Sequence, residues 1–141
     1  MNKIDLNVFE SLWINLTLPD KTPALLNVAY CPNKKYTDSF LGQLALHIDT
    51  AVTELKKTIM VGEYNINYHN HREKVKLDTI LVPYGLKVQN NDPTRTNNNK
   101  STQIDFIISE PDNFINVFTG DCPIKSDHFC NLGILKTKFE K

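Results

Sequence analysis

Two short apolar runs with a helical stripe between them limit this chain more than any other feature. Ala24 to Tyr30 reads Ala-Leu-Leu-Asn-Val-Ala-Tyr, and Thr58 to Val61 reads Thr-Ile-Met-Val. Both are short, apolar and bounded by polar or turn residues, as buried strands are. Between them apolar residues recur at Leu41, Leu44, Ala45, Ile48, Ala51, Val52 and Leu55, the stripe of an amphipathic helix. Thr37 or Asp38 is placed to cap this helix, and Lys56 and Lys57 fall in its last turn, where the dipole favours cations. Strand, helix, strand predicts a βαβ unit with parallel strands and a right-handed crossover. Tyr30 and Glu63 then emerge at the same edge of one sheet. That carboxyl edge is where open α/β sheets hold ligands. Gly62, whose backbone reaches conformations other residues resist, leads directly into the carboxylate of Glu63 and the amide of Asn65.

The remaining segments fit around this unit in a mixed α/β chain, read as one domain over residues 1–141. Ser11 to Leu18 alternates with period two, Leu12, Ile14, Leu16 and Leu18 sharing a face. Pro19-Asp20-Lys21 turns it into a hairpin with the strand at Ala24. Ile66 to Arg72 reads as polar loop, in which His69 and His71 are solvated. Lys74 to Tyr84 reads as a helix, Leu86 to Gln89 as a short strand, and the asparagine-rich Gln89 to Gln103 as a surface loop. Gln103 to Ser109 is a strand carrying Asp105 between Ile104 and Phe106. A carboxylate set there is costly unless something pairs with it. Ile115 to Phe118 and Phe129 to Leu135 are the closing strands.

Sixteen basic and sixteen acidic residues cancel, so no global field draws the chain to nucleic acid or membrane, and anion binding must be local. Residues 1–9 contain no apolar signal-like core, and no run reaches membrane-spanning length, so no membrane partner is expected. Three cysteines, Cys31, Cys122 and Cys130, suit a reducing intracellular setting, nuclear or cytoplasmic. Cys122, His128 and Cys130 lack the CxxC pair and fourth ligand of a zinc site.

The polar groups at strand ends are Tyr30, Asn33, Glu63, Asn65, Asp127 and His128, with Asp105 as partner for the histidine. An aspartate bonded to an imidazole fixes its tautomer. Carboxylates beside it can hold a hard cation such as Mg²⁺, which takes few protein ligands and keeps its waters. Such a set suits phosphodiester hydrolysis, with charge stabilisation and a positioned water.

Tyr30-Cys31-Pro32-Asn33, Gly62-Glu63-Tyr64-Asn65, Ile104-Asp105-Phe106 and Ser126-Asp127-His128, in this order and spacing, resemble the endonuclease/exonuclease/phosphatase superfamily. Glu10-Ser11-Leu12-Trp13 and Pro93-Thr94-Arg95 are similar in particular to the endonuclease domains of non-LTR retrotransposon reverse transcriptases. The resemblance implies the C-terminal part of a DNase-I-like four-layer αββα sandwich with mixed sheets. It implies Mg²⁺- or Mn²⁺-dependent cleavage of DNA by a mobile-element endonuclease. His128 would contact the scissile phosphate or move a proton, oriented by Asp105. Asp127 would lie at the metal, Asn65 would bind phosphate and position water, and Glu63 would handle that water. Tyr30 would face the leaving group, and Asn33, Thr94 and Arg95 would contact the nucleic-acid backbone.

Two departures from the family pattern set further expectations. Glu63 stands where the family has aspartate, which moves the carboxylate by about 1 Å, a misplacement worth roughly a hundredfold in rate. The family's N-terminal asparagine and metal-binding glutamate have no counterpart before Glu10. The chain is therefore expected to be an N-terminally truncated domain with impaired activity, to need a missing N-terminal half, or to self-associate. A phosphatase on the same fold, acting on phosphoinositides, and an inactive remnant that only binds nucleic acid are the alternative readings.

Overall fold

The computed structural model describes residues 10–52 and 56–137. Five strands form the central sheet: β1 (Glu10–Thr17), β2 (Pro23–Tyr30), β3 (Lys57–Glu63), β7 (Asp105–Ser109) and β4 (Lys87–Val88), in that spatial order. As expected, β1 and β2 are an antiparallel hairpin, and β2 and β3 run parallel with α1 (Thr37–Ala51) between them in sequence. β7 and β4 complete the sheet antiparallel to their neighbours. The helix α2 (His71–Leu81) continues into a 3₁₀ turn at Val82–Tyr84, ended by Gly85 in the left-handed conformation.

One sheet face carries the core. Phe40, Leu44 and Ile48 from α1 and Leu77 and Leu81 from α2 are fully buried against Ala29, Met60, Phe106 and Ile108 of the strands. At the edge of this core, Tyr64 stacks edge-on between Phe40 and Phe106, at 5.0 and 5.4 Å between ring centres. Burial of such a set at roughly 25 cal/mol per Å² of apolar surface is the main stabilising term.

Several sequence expectations change. Helix α1 ends at Ala51, so Lys57 lies in β3 rather than in a last helical turn, and Leu55 lies outside the described residues. Neither Thr37 nor Asp38 caps α1. A 3₁₀ turn at Lys34–Tyr36 precedes it, and Asn33 caps that turn by accepting from the Lys35 amide at 3.0 Å. His71 opens α2, capped by Asn70, which accepts from Arg72 and Glu73. The segment before it is not all solvated loop, since Tyr64 and Ile66 are fully buried.

The largest correction concerns Gln89 to Gln103. It forms a hairpin of β5 (Arg95–Asn97) and β6 (Lys100–Thr102), flanked by buried Asn90, Thr94 and Gln103. Asn90 extends the edge of β7 with its side chain, donating to the Asp105 carbonyl at 2.9 Å and accepting from the Ile107 amide at 2.9 Å. Buried amides are tolerated because they are paired in this way. The last hairpin, β8 (Phe114–Gly120) with β9 (Cys130–Leu135), lies over the face of β7 opposite the helices. Gly133 admits that approach, for a Cβ there would stand 2.5 Å from the Phe114 ring and 3.4 Å from Ile107. Among the described residues no helix is long and apolar enough to cross a membrane.

Candidate active site

Strand register assembles the site. Tyr30 is paired with Glu63 across β2 and β3, and Glu63 with Asp105 across β3 and β7. Partners across a pleated sheet share a face, so the three side chains form one row at the end of the sheet. That row lies on the face away from the helices, because the alternating neighbours Ala29 and Phe106 enter the helical core. Gly62 makes the register possible. Its φ is +147°, and a Cβ would stand 1.8 Å from the Ala29 carbonyl oxygen. No side chain fits there.

His128 completes the row from a different element. Its Nδ1 lies 2.9 Å from the Asp105 carboxylate, and both side chains are about one-quarter exposed. The loop that carries it is tied down at several points. The Phe129 amide donates to the Thr94 carbonyl at 2.7 Å, the Thr96 amide to the Asp127 carbonyl at 3.1 Å, and the His128 amide to Ser126 Oγ at 3.0 Å. Glu63, Asp105 and His128 each offer a ligand atom within 4.8 Å of the others, an arrangement able to hold a metal ion.

The electrostatics agree with that geometry. Partial burial pushes the Glu63 carboxyl above its ordinary range, and the Asp105 charge pushes it further; His128, Arg95 and a hydrogen bond from Asn65 oppose the shift. Two carboxylates pressed together in this way are relieved by a cation. Asn65 adopts a left-handed conformation, φ +53°, which asparagine tolerates well, and its Nδ2 also donates to the Cys31 carbonyl at 2.5 Å. One amide group therefore joins the end of β2 to Glu63.

No family model matches this sequence, and no curated protein does. Solved structures do. The endonuclease domain of TRAS1, a telomere-specific non-LTR retrotransposon, superposes on 89% of this chain with a TM-score of 0.74 at 15% identity. A 3′-5′ exonuclease from Neisseria meningitidis matches 95% of the chain with a TM-score of 0.63 at 14% identity. A mannosyl-6-phosphatase from Bacteroides thetaiotaomicron matches 90% with a TM-score of 0.58 at 15% identity. This is the endonuclease/exonuclease/phosphatase fold. The chain spans 61% of the TRAS1 domain, 82% of the exonuclease and 57% of the phosphatase.

Within that fold the sequence-derived candidates separate into three groups. Tyr30, Glu63, Asp105 and His128 are brought together, with Asn65 bonded to Glu63. Asp127 and Arg95 form a pair beside them, Nε to Oδ2 at 2.7 Å. The Arg95 hydrogen bond holds the Asp127 carboxyl below its usual range. The Asp127 carboxylate also lies 3.9 Å from His128 Nε2. Thr94 and Asn33 are engaged elsewhere. Thr94 is fully buried, and its hydroxyl accepts from the Ile104 and Asp105 amides, both at 3.0 Å. It fixes the backbone of Asp105 while its own carbonyl fixes the His128 loop. Asn33 is exposed, with its side-chain oxygen spent on the 3₁₀ cap. Sequence reading missed Asn90 and Asn131, which both donate to the Asp105 carbonyl, at 2.9 and 3.3 Å. Neither sits in a pattern that distinguishes it from surface asparagine.

Proposed function

We propose that this chain carries the hydrolytic site of a phosphodiesterase acting on DNA, of the kind found in mobile-element endonucleases. The observation that carries this reading is the single row of Tyr30, Glu63 and Asp105, closed by His128 at 2.9 Å from Asp105. The donor set fits a hard divalent ion, Mg²⁺ or Mn²⁺: two carboxylates supply oxygen ligands, and their mutual repulsion favours a cation between them. When bound, the ion neutralises charge on the phosphoryl oxygens.

The chain's own residues do the rest. Asp105 holds the imidazole through Nδ1, which leaves Nε2 to face a phosphoryl or leaving oxygen. Glu63, hydrogen-bonded by Asn65, is the group placed to accept a proton from the attacking water. Asn65 fixes the Glu63 carboxylate and leaves its own oxygen to position that water. Tyr30, about two-fifths exposed, lines the same face toward the leaving group. Arg95, beside Asp127, supplies positive charge for the phosphate backbone.

The longer reach of Glu63 relative to aspartate makes the chain a slow nuclease. Supercoiled plasmid incubated with Mg²⁺ or Mn²⁺ should be nicked slowly. His128→Ala should abolish nicking, and Glu63→Asp should raise it. Nicking that survives His128→Ala would refute the assignment. The mannosyl-6-phosphatase neighbour motivates a second assay: phosphate release from sugar or inositol phosphates without nicking would assign the same row to a phosphomonoesterase.

A further inference from the structure

We propose that Cys122 and Cys130 form a reversible disulfide that closes the neck of the loop carrying Asp127 and His128. β8 ends at Gly120 and β9 begins at Cys130, and these two residues are paired across the ladder. Cys122 follows Gly120 by two residues, so the two cysteines stand at the two sides of the loop base. Both are free thiols, and neither is buried, whereas the third cysteine, Cys31, has no exposed surface. The Cys122 and Cys130 thiols lie within interacting distance of each other. Two thiols that face each other at the end of a strand pair are placed for a disulfide, whose sulfur atoms need only close to bonding distance.

The loop between them is anchored on one side only. Asp127, Phe129 and the Arg95 pairing hold its C-terminal half to Thr94 and β5. Its N-terminal half is exposed apart from Cys122, with Ile124 at 72%. A bond at the neck therefore restrains the half that nothing else holds, two residues from His128.

The chemistry is thiol–disulfide exchange with a small disulfide such as oxidised glutathione. One cysteine, as thiolate, attacks a glutathione sulfur and expels a glutathione thiolate. The second protein thiol loses its proton, attacks the protein sulfur of the mixed disulfide and expels the other glutathione. Two protein S–H groups become one S–S bond, and one glutathione disulfide becomes two glutathiones. The thiolate is the attacking species, so the exchange is faster as pH rises. Formation of the bond is independent of the proposed function; only its consequence for catalysis rests on that reading.

The test treats the whole folded chain with glutathione disulfide at mildly alkaline pH, with no substrate or metal present. Mass spectrometry should find the loss of two hydrogens, a Cys122–Cys130 cross-linked peptide and an unmodified Cys31, all reversed by dithiothreitol. Hydrogen exchange of the amides in 121–125 should slow several-fold in the oxidised protein. Cys122→Ser should stop at a mixed disulfide on Cys130 with exchange unchanged, and Cys31→Ser should behave as the parent. Double glutathione adducts, unreacted thiols, or a cross-link that leaves the 121–125 amides unchanged would overturn the proposal. A cross-link that slows those amides in a protein that never nicks DNA would leave this proposal standing and refute the functional one.

Discussion

The two faces of the central sheet are made by alternate residues of the same strands, yet they end in different states. On the helix side Leu25, Ala29, Met60, Phe106 and Ile108 are buried. On the other side Ile59 and Ile107 are buried where the β8–β9 hairpin lies, but Leu12 is 60% exposed and Val28 43%. In register, Leu12 faces Val28, and Val28 faces Val61, so the open area is a continuous apolar strip beside the row of Tyr30, Glu63 and Asp105. The helix face accounts for folding. The open face carries the row of Tyr30, Glu63 and Asp105 at its end and an uncovered apolar surface behind it. A sheet can therefore be stabilised from one side while its other side stays available for a ligand or another polypeptide layer.

The sharpest way to break this comparison is to truncate equivalent residues on each face. Phe106→Ala should cost about 3–5 kcal/mol, because it leaves a cavity among Tyr64, Tyr68 and the α1 side chains. Leu12→Ala should change stability by no more than about 0.5 kcal/mol, as exposed positions do. Urea melts of both variants measure the difference, and equal costs would mean the open face is covered in solution.

A smaller effect tests how the site is tied to the sheet. Thr94→Val removes one hydroxyl that accepts from one buried and one partly buried amide, at a cost of about 1–3 kcal/mol. It should also move Asp105 away from His128, visible as a changed imidazole resonance. A melt shifted with the histidine unmoved would separate the two roles.

Association is the next test of the open strip. Val28→Lys places charge in its centre, opposite Leu12 and Val61. An apolar patch of this kind promotes self-association, so sedimentation velocity should show less oligomer for the variant than for the parent. An unchanged distribution would remove the strip from any interface.

The smallest effect concerns pH. The folded state holds the Glu63 proton more tightly than the unfolded chain does, because burial and the Asp105 charge disfavour its anion. Stability is therefore lost as pH rises from the ordinary carboxylate range through the raised value. Glu63→Gln should be modestly more stable than the parent at pH 7, and the gain should vanish below about pH 4. A constant difference across that range would mean that the Glu63 carboxyl feels neither effect.

How legible this was depends on the range of the interactions involved. The βαβ unit could be read because its apolar spacing is local, and the parallel pairing of β2 with β3 carried Tyr30 and Glu63 to one edge. The pairing of Asp105 with His128 was open to inference from a carboxylate set inside an apolar strand. Thr94, Asn90 and Gln103 were not legible. Asn90 and Thr94 find their partners at β7 and the residue before it, Gln103 finds its partner in the Asn90 carbonyl, and nothing in an asparagine-rich run marks which amides will find them. The start of α1 was misread for a similar reason: Asn33 caps a 3₁₀ turn that no local spacing announces.

The proposal most open to direct test is that Glu63 and Asp105 hold one divalent cation on the open face, with His128 beside it. Mn²⁺ titrated into isotopically labelled protein tests it directly, since the paramagnetic ion broadens resonances near where it binds. Side-chain signals of these three residues should broaden first, Mg²⁺ should restore them, and Asp105→Asn should abolish the effect. Broadening spread over other acidic residues, or centred elsewhere with His128 untouched, would contradict it.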